Sequence, residues 1–98
     1  MRIVKLTPKA NDDLTAIWDY GQLHFGKAQA DKYIDHISEI FQILSIHDIG
    51  TARRELGEGI FSLPFERHIL YFLQTEAEII IIRILGQSQD VNRHLHWQ

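Results

Sequence analysis

Apolar residues recur at helical spacing through the first half of the chain and gather into unbroken runs in the second. Ala30, Tyr33, Ile34, Ile37, Ile40, Phe41 and Leu44 follow one another at steps of three, one, three, three, one and three. That spacing lays a wide apolar stripe along one side of a helix and predicts a helix over 27–44. Ala10, Leu14, Ile17 and Trp18 make a similar stripe upstream. Thr7 is a favoured N-cap and Pro8 is pre-set for the first helical position. Phe25-Gly26 marks a stop just after His24, because glycine takes the left-handed position after a helix without steric penalty. Asp12 and Asp13 lie near the first turns, where they complement the helix dipole. The link between the two helices is short, which predicts an antiparallel αα-hairpin.

The second half changes rhythm. Arg67-His68-Ile69-Leu70-Tyr71-Phe72-Leu73 reads as a strand, Gln74 to Ala77 as a turn, and Glu78 to Leu85 as the returning strand. β-branched and aromatic residues dominate both runs. Upstream, His47 to Thr51 is a loop and Arg53-Arg54-Glu55-Leu56 leads to a Gly57-Glu58-Gly59 turn. Ile60 to Leu63 reads as a further strand closed by Pro64, and Ile3 to Leu6 as a short first strand. The tail 86–98 opens with a polar loop and carries Leu95 and Trp97 in a short helical stretch.

The returning strand has five isoleucines within six positions. On an uninterrupted strand Ile80, Ile82 and Ile84 share one face, and Ile79, Ile81, Arg83 and Leu85 share the other. Neither face is polar, so both need cover, either from the same domain or from a partner chain.

The expected fold class is α+β, with the order β-α-α-β-β-β. The N-terminal αα-hairpin packs on one face of a largely antiparallel four-stranded sheet. Residues 1–98 read as one domain: a strand and helical hairpin over 1–46, a sheet over 53–85 and a tail over 86–98.

Composition narrows the function. Apolar content of 45% and charged content of 23% are ordinary for a globular protein. The longest apolar run falls well short of the about 20 residues a membrane span needs, and no leader-like segment opens the chain. With no cysteine, disulfides and thiolate metal sites are excluded, which fits a cytoplasmic location. A net charge of −3 weighs against a life spent mainly on nucleic acid. Arg53, Arg54, Arg67, Arg83 and Arg93 nevertheless gather in the second half, leaving room for a local basic surface.

Candidate chemistry is sparse. His24, His36, His47, His68, His94 and His96 lack metal-ligand spacing, and no metal or cofactor is expected. No nucleophile elbow or phosphate-cradling glycine loop is present. A metal-free RNA-cleaving site would need a base, an acid and cations. Arg67 and Arg83 would serve as the cations, and His68 or Glu66 as a proton acceptor. With an odd-length turn, Arg67, Ile69, Tyr71, Ile79, Ile81 and Arg83 share one face, a greasy stripe ending in two cations. That surface suits an amphipathic peptide with acidic residues at its end. Alternatively the two arginines cap the sheet rim and pair with carboxylates.

Several segments together resemble the RelE/ParE toxin superfamily. Thr7-Pro8-Lys9-Ala10, Asp13-Leu14 and Ile17-Trp18-Asp19-Tyr20 are similar to its first helix. Phe25-Gly26, Ala30 with Tyr33, and the stripe from Ile37 to Leu44 match its second. Gly50 followed by Arg53-Arg54-Glu55-Leu56, then Arg67-His68-Ile69-Leu70-Tyr71, Ile82-Arg83-Ile84-Leu85 and Asp90, complete the pattern over residues 3 to about 95. The resemblance is closest to the ParE branch. It implies a toxin of a type II toxin–antitoxin module that inhibits DNA gyrase by protein contact, with no catalytic centre of its own. It implies growth arrest and plasmid stabilisation as outcomes. It also implies a cognate ParD-like antitoxin laid over the sheet in a hetero-oligomer, with DNA reached only through that antitoxin and no membrane partner. The expected antitoxin contacts are Arg67, Ile69, Tyr71, Ile79, Ile81 and Arg83, and the basic residues of interest are Arg53, Arg54, Arg67 and Arg83. The RelE branch instead cuts messenger RNA on the ribosome, usually with a tyrosine near the end of the last strand. Gly86-Gln87-Ser88-Gln89 stands there in this chain, which argues against the nuclease. Many ParE sequences carry a histidine where this one has Gly86. A third reading is a member that binds antitoxin without toxicity.

Overall fold

The computed structural model describes residues 1–95. His96 and Trp97, two residues of the expected tail, lie outside the described residues. The elements are β1 (Ile3–Leu6), α1 (Pro8–Phe25), α2 (Lys27–Ile46), β2 (Thr51–Ala52), β3 (Ile60–Phe65), β4 (His68–Gln74), β5 (Glu78–Gly86) and α3 (Val91–His94). The architecture is α+β, with the helical hairpin against the sheet as expected. The sheet has five strands rather than four, in the order β1-β5-β4-β3-β2. The additional strand is the two-residue β2, which pairs Thr51 with Ser62 and Ala52 with Phe61. β1 runs parallel to β5, while the other neighbours are antiparallel.

Local chemistry explains the helix limits. The Thr7 hydroxyl accepts from the Ala10 N–H, and Pro8 opens α1, so one orphan donor of the first turn is satisfied. The same hydroxyl donates to the Ile82 carbonyl at 2.7 Å, tying the cap to β5. Gly26 ends α1 at φ 93° and at once precedes α2. That left-handed backbone lets the chain reverse within one residue. Along the α2 stripe, Ala30, Ile37 and Leu44 are buried.

Pro64 lies inside β3 rather than after it. β2 reaches only as far as Ser62, so the edge beside Pro64 is open. A residue without an N–H is tolerated at such a position.

The largest departure concerns β5. Phe72 pairs with Ile81, but Tyr71 pairs with Arg83, so Ile82 is an extra residue in the ladder. This bulge reverses the parity of the strand. Ile79, Ile81 and Ile84 therefore join Leu70, Phe72, Ala10 and Leu44 in the core beneath the helices. The expectation that Ile80, Ile82 and Ile84 share a face is overturned. Ile82 and Leu85 are also buried within the chain, so the far half of this strand is covered on both faces by its own domain, while Ile80 stays half-buried on the face away from the helices.

Candidate binding site

The same bulge divides the expected stripe of Arg67, Ile69, Tyr71, Ile79, Ile81 and Arg83. Ile79 and Ile81 point into the helix-side core with no exposed surface. They cannot lie on one exposed face with the others. Ile69 and Tyr71 alternate with the core residues Leu70 and Phe72, so they face away from the helices, across the ladder from Leu85 and Arg83. Arg67 is not in β4 at all. It occupies the two-residue turn between β3 and β4, where Phe65 pairs with His68. Neither Arg83 nor Ile84 stands opposite it; its carbonyl instead accepts from the Gln87 N–H at 3.0 Å.

The sheet face away from the helices is a mixed surface. Ile69, Leu73 and Ile80 are half-buried there. Arg53 crosses it, with its guanidinium 5.7 Å from the centre of the Tyr71 ring. It donates to Ser62 Oγ at 3.3 Å and to Glu55 Oε2 at 2.7 Å. The Glu55 carboxylate holds the Arg53 pKa above its usual value. Arg54 is exposed beside the Gly57–Gly59 turn.

Arg83 is a clamp. Its Nε and Nη2 donate to the two oxygens of Asp13 at 2.8 and 2.9 Å, and its Nη1 donates to the His94 carbonyl at 2.6 Å. Asp13 Oδ2 also accepts the Ile84 N–H at 2.9 Å. One side chain thus joins α1, β5 and the C-terminal α3. Hydrogen bonding to Asp13 pushes the Arg83 pKa up. This is the rim pairing weighed above, with Asp13 as the carboxylate. Asp13 lies beyond the first turn of α1, so its role is the clamp rather than the helix dipole. The signal for it was present in sequence: Asp13 sits between Ala10 and Leu14 on the apolar stripe, where an acid requires a buried partner.

A third region forms at the far end of the hairpin. A groove of about 1110 Å³ opens between α1, α2, the β3–β4 turn and the end of β5. Tyr33 and His68 meet in it, with Tyr33 Oη 2.7 Å from His68 Nδ1. Burial, then the Arg67 charge, lowers the His68 pKa, so the imidazole is neutral at pH 7. Burial raises that of Tyr33. The Tyr33 partner was not foreseen, although its place on the α2 stripe marks it as inward-facing. Gly86 stands directly across the ladder from His68. Among the described residues, no three His, Asp or Glu side chains gather as a metal site. No described helix is long and apolar enough to cross a membrane.

The solved structure titled "Chromosomal ParDE TA system from P. aeruginosa" matches this fold with a TM-score of 0.76 at 28% identity, over 88% of this chain and 96% of that one. The architecture is thus that of a RelE/ParE-like toxin domain. In sequence, the family described as "ParE toxin of type II toxin-antitoxin system, parDE" matches residues 4–91. A relative from Mycobacterium tuberculosis (strain H37Rv), Toxin ParE1, is 32% identical over 92 residues, covering 92% of this chain and 94% of the relative. Toxin ParE1 of Caulobacter vibrioides is 26% identical over 96 residues, covering 97% and 99%. The chain belongs to the ParE family of toxins of type II toxin–antitoxin systems.

Proposed function

We propose that this toxin inhibits DNA gyrase by protein–protein contact in the cytoplasm and is neutralised by a ParD-like antitoxin laid on the sheet. Family membership supports a protein target. The observation that carries this reading over RNA cleavage is the Asp13–Arg83 clamp. The guanidinium that would stabilise a phosphorane is already held by both oxygens of a carboxylate and by a backbone carbonyl. Arg53 is similarly bound to Glu55. Of the two cations expected for a cleavage site, Arg67 alone is left without a carboxylate among the described residues, and one cation is a poor match for the charge of a phosphorane.

The antitoxin surface on this reading is the sheet face away from the helices. Ile69, Leu73 and Ile80 supply apolar contact, with Arg53 and Arg83 beside them; Tyr71, buried under the Arg53 guanidinium, supports that face from within, and Arg67 in the β3–β4 turn lies outside it. Ile79 and Ile81 contribute from beneath, by fixing the strand. The fold neighbour comes from a ParDE system, which supports an antitoxin as the occupant.

The test is a gyrase supercoiling assay with the purified toxin, with and without the product of the neighbouring gene. Inhibition reversed by that product is the expected result. Unimpaired supercoiling together with ribosome-dependent RNA cleavage would replace this reading with the nuclease. Tight antitoxin binding without either activity would indicate a non-toxic member.

A further inference from the structure

Arg67 differs from the other arginines of the sheet in how it is held. Arg2, Arg53 and Arg83 each meet a carboxylate, from Asp48, Glu55 and Asp13. The Arg67 guanidinium instead lies 4.8 Å from the centre of the Phe25 ring and 5.9 Å from that of Tyr33. Among the described residues, no oxygen accepts from its N–H groups. Stacking orients a guanidinium by its face and leaves the edge, with its forked donors, free for a bidentate acid. The turn that presents it is strained, since Glu66 holds φ 52°. Such strain persists where surrounding structure enforces it and is concentrated at functional positions. Here Gln87 enforces it, donating from its side chain to the Glu66 carbonyl at 2.6 Å and from its backbone to that of Arg67.

On its α1 side this cation is flanked by apolar residues, while Gln29, Glu66, Ser88 and Gln89 also line the groove. Tyr20, Leu23 and Phe25 are 55, 78 and 50% exposed at the end of α1. Tyr20 is stacked on His24 at 3.9 Å, which stiffens the patch. Aromatic side chains with an arginine among them are the composition of protein-interface hot spots. The groove opens at the helical end, apart from the sheet face assigned to the antitoxin.

We propose that Arg67 and the α1 tip form the target-contact surface of the toxin, receiving a carboxylate flanked by an apolar side chain from gyrase. The unpaired fork sets the charge of the occupant, and the exposed Leu23 and Phe25 set its apolar neighbour. A protein carboxylate is favoured over a DNA phosphate because the chain is acidic overall, at −3. The assignment rests on the gyrase reading above.

The experiment compares the intact toxin with Arg67→Ala, Leu23→Asp and, as a control cation outside the groove, Lys9→Ala. Each is assayed for gyrase inhibition, for affinity to the neighbouring gene's product and for binding to linear DNA alone. Circular dichroism and melting establish that each variant folds. The expected result is inhibition weakened at least tenfold by Arg67→Ala and by Leu23→Asp but not by Lys9→Ala, with antitoxin affinity within twofold of the parent. Unchanged inhibition by both Arg67→Ala and Leu23→Asp would overturn the assignment. So would lost antitoxin affinity with inhibition retained, which makes the groove an antitoxin site, or Arg67-dependent binding to DNA alone. If the unaltered toxin leaves supercoiling intact, the gyrase reading itself falls, and this assignment falls with it.

Discussion

Asp13 and Arg83 face each other across the seam between α1 and β5, joined by two hydrogen bonds and only 14 and 15% exposed in their side chains. Asp13 also accepts from the Ile84 backbone, so its carboxylate serves the strand as well as the cation. Removing one member leaves the other charge part-buried and without its carboxylate or guanidinium partner. Asp13→Ala should therefore cost about 3 kcal/mol, the lower end for breaking a buried pair. Chemical denaturation reads this directly, and a loss under 1 kcal/mol would mean that water reaches Arg83 freely.

The bulge at Ile82 makes neighbouring isoleucines unequal. Ile81 is fully buried under the helices, whereas Ile80 is half-buried on the opposite face. Ile81→Ala should cost roughly 2–5 kcal/mol as a core truncation, and Ile81→Asp should prevent folding. Ile80→Asp should fold and weaken the antitoxin complex at least tenfold. A folded Ile81→Asp protein of normal melting temperature would show that Ile81 does not face the helix-side core. A folded Ile80→Asp protein with full antitoxin affinity would remove that residue from the interface.

Gly50 holds φ 105°, and a methyl group there would come within 3.0 Å of the Phe72 ring and 3.1 Å of the Ser62 carbonyl oxygen. Backbone strain and collision act together. Gly50→Ala should destabilise by more than about 1 kcal/mol, beyond any gain from a stiffer unfolded chain. A raised melting temperature would contradict this geometry.

His68 couples stability to pH. Its folded pKa lies below the ordinary 6.5 because of burial and the nearby Arg67 charge. The unfolded state then binds more protons in the window between the two values. Stability from this group is complete above about 6.5 and is lost as pH falls through the folded value. Melting curves of the parent and His68→Gln should differ in slope across mildly acidic pH, with the parent falling more steeply. Parallel curves would mean that the imidazole takes up its proton as readily in the folded as in the unfolded protein.

Much of the fold is legible in sequence because its signals are local. Thr7-Pro8 and Phe25-Gly26 fix the ends of α1, and the spacing from Ala30 to Leu44 identifies the inner side of α2. The strand registers are different in kind. With isoleucine at 79–82 and again at 84, either parity is equally apolar, so nothing in the run tells where an extra residue enters. The displacement of Arg67 into a turn follows from the same ambiguity, since hairpin register depends on turn geometry. Asp13 was readable as a carboxylate on an apolar stripe, but its partner lies 70 positions away. Stacking on Phe25 depends on how the hairpin tip meets the β3–β4 turn, which no local pattern encodes.

The parallel pairing of β1 with β5 sets Ile3 beside Glu78 and Leu6 beside Ile81. The first strand to leave the ribosome thus has no neighbour until nearly the last has been made. Local helices form early, but closing so long a loop is an entropic cost that only the final ladder repays. A chain halted before residue 78 has its α1–α2 hairpin without the sheet that buries it. An interrupted translation product would therefore show an apolar hairpin open to proteolysis and no finished sheet face.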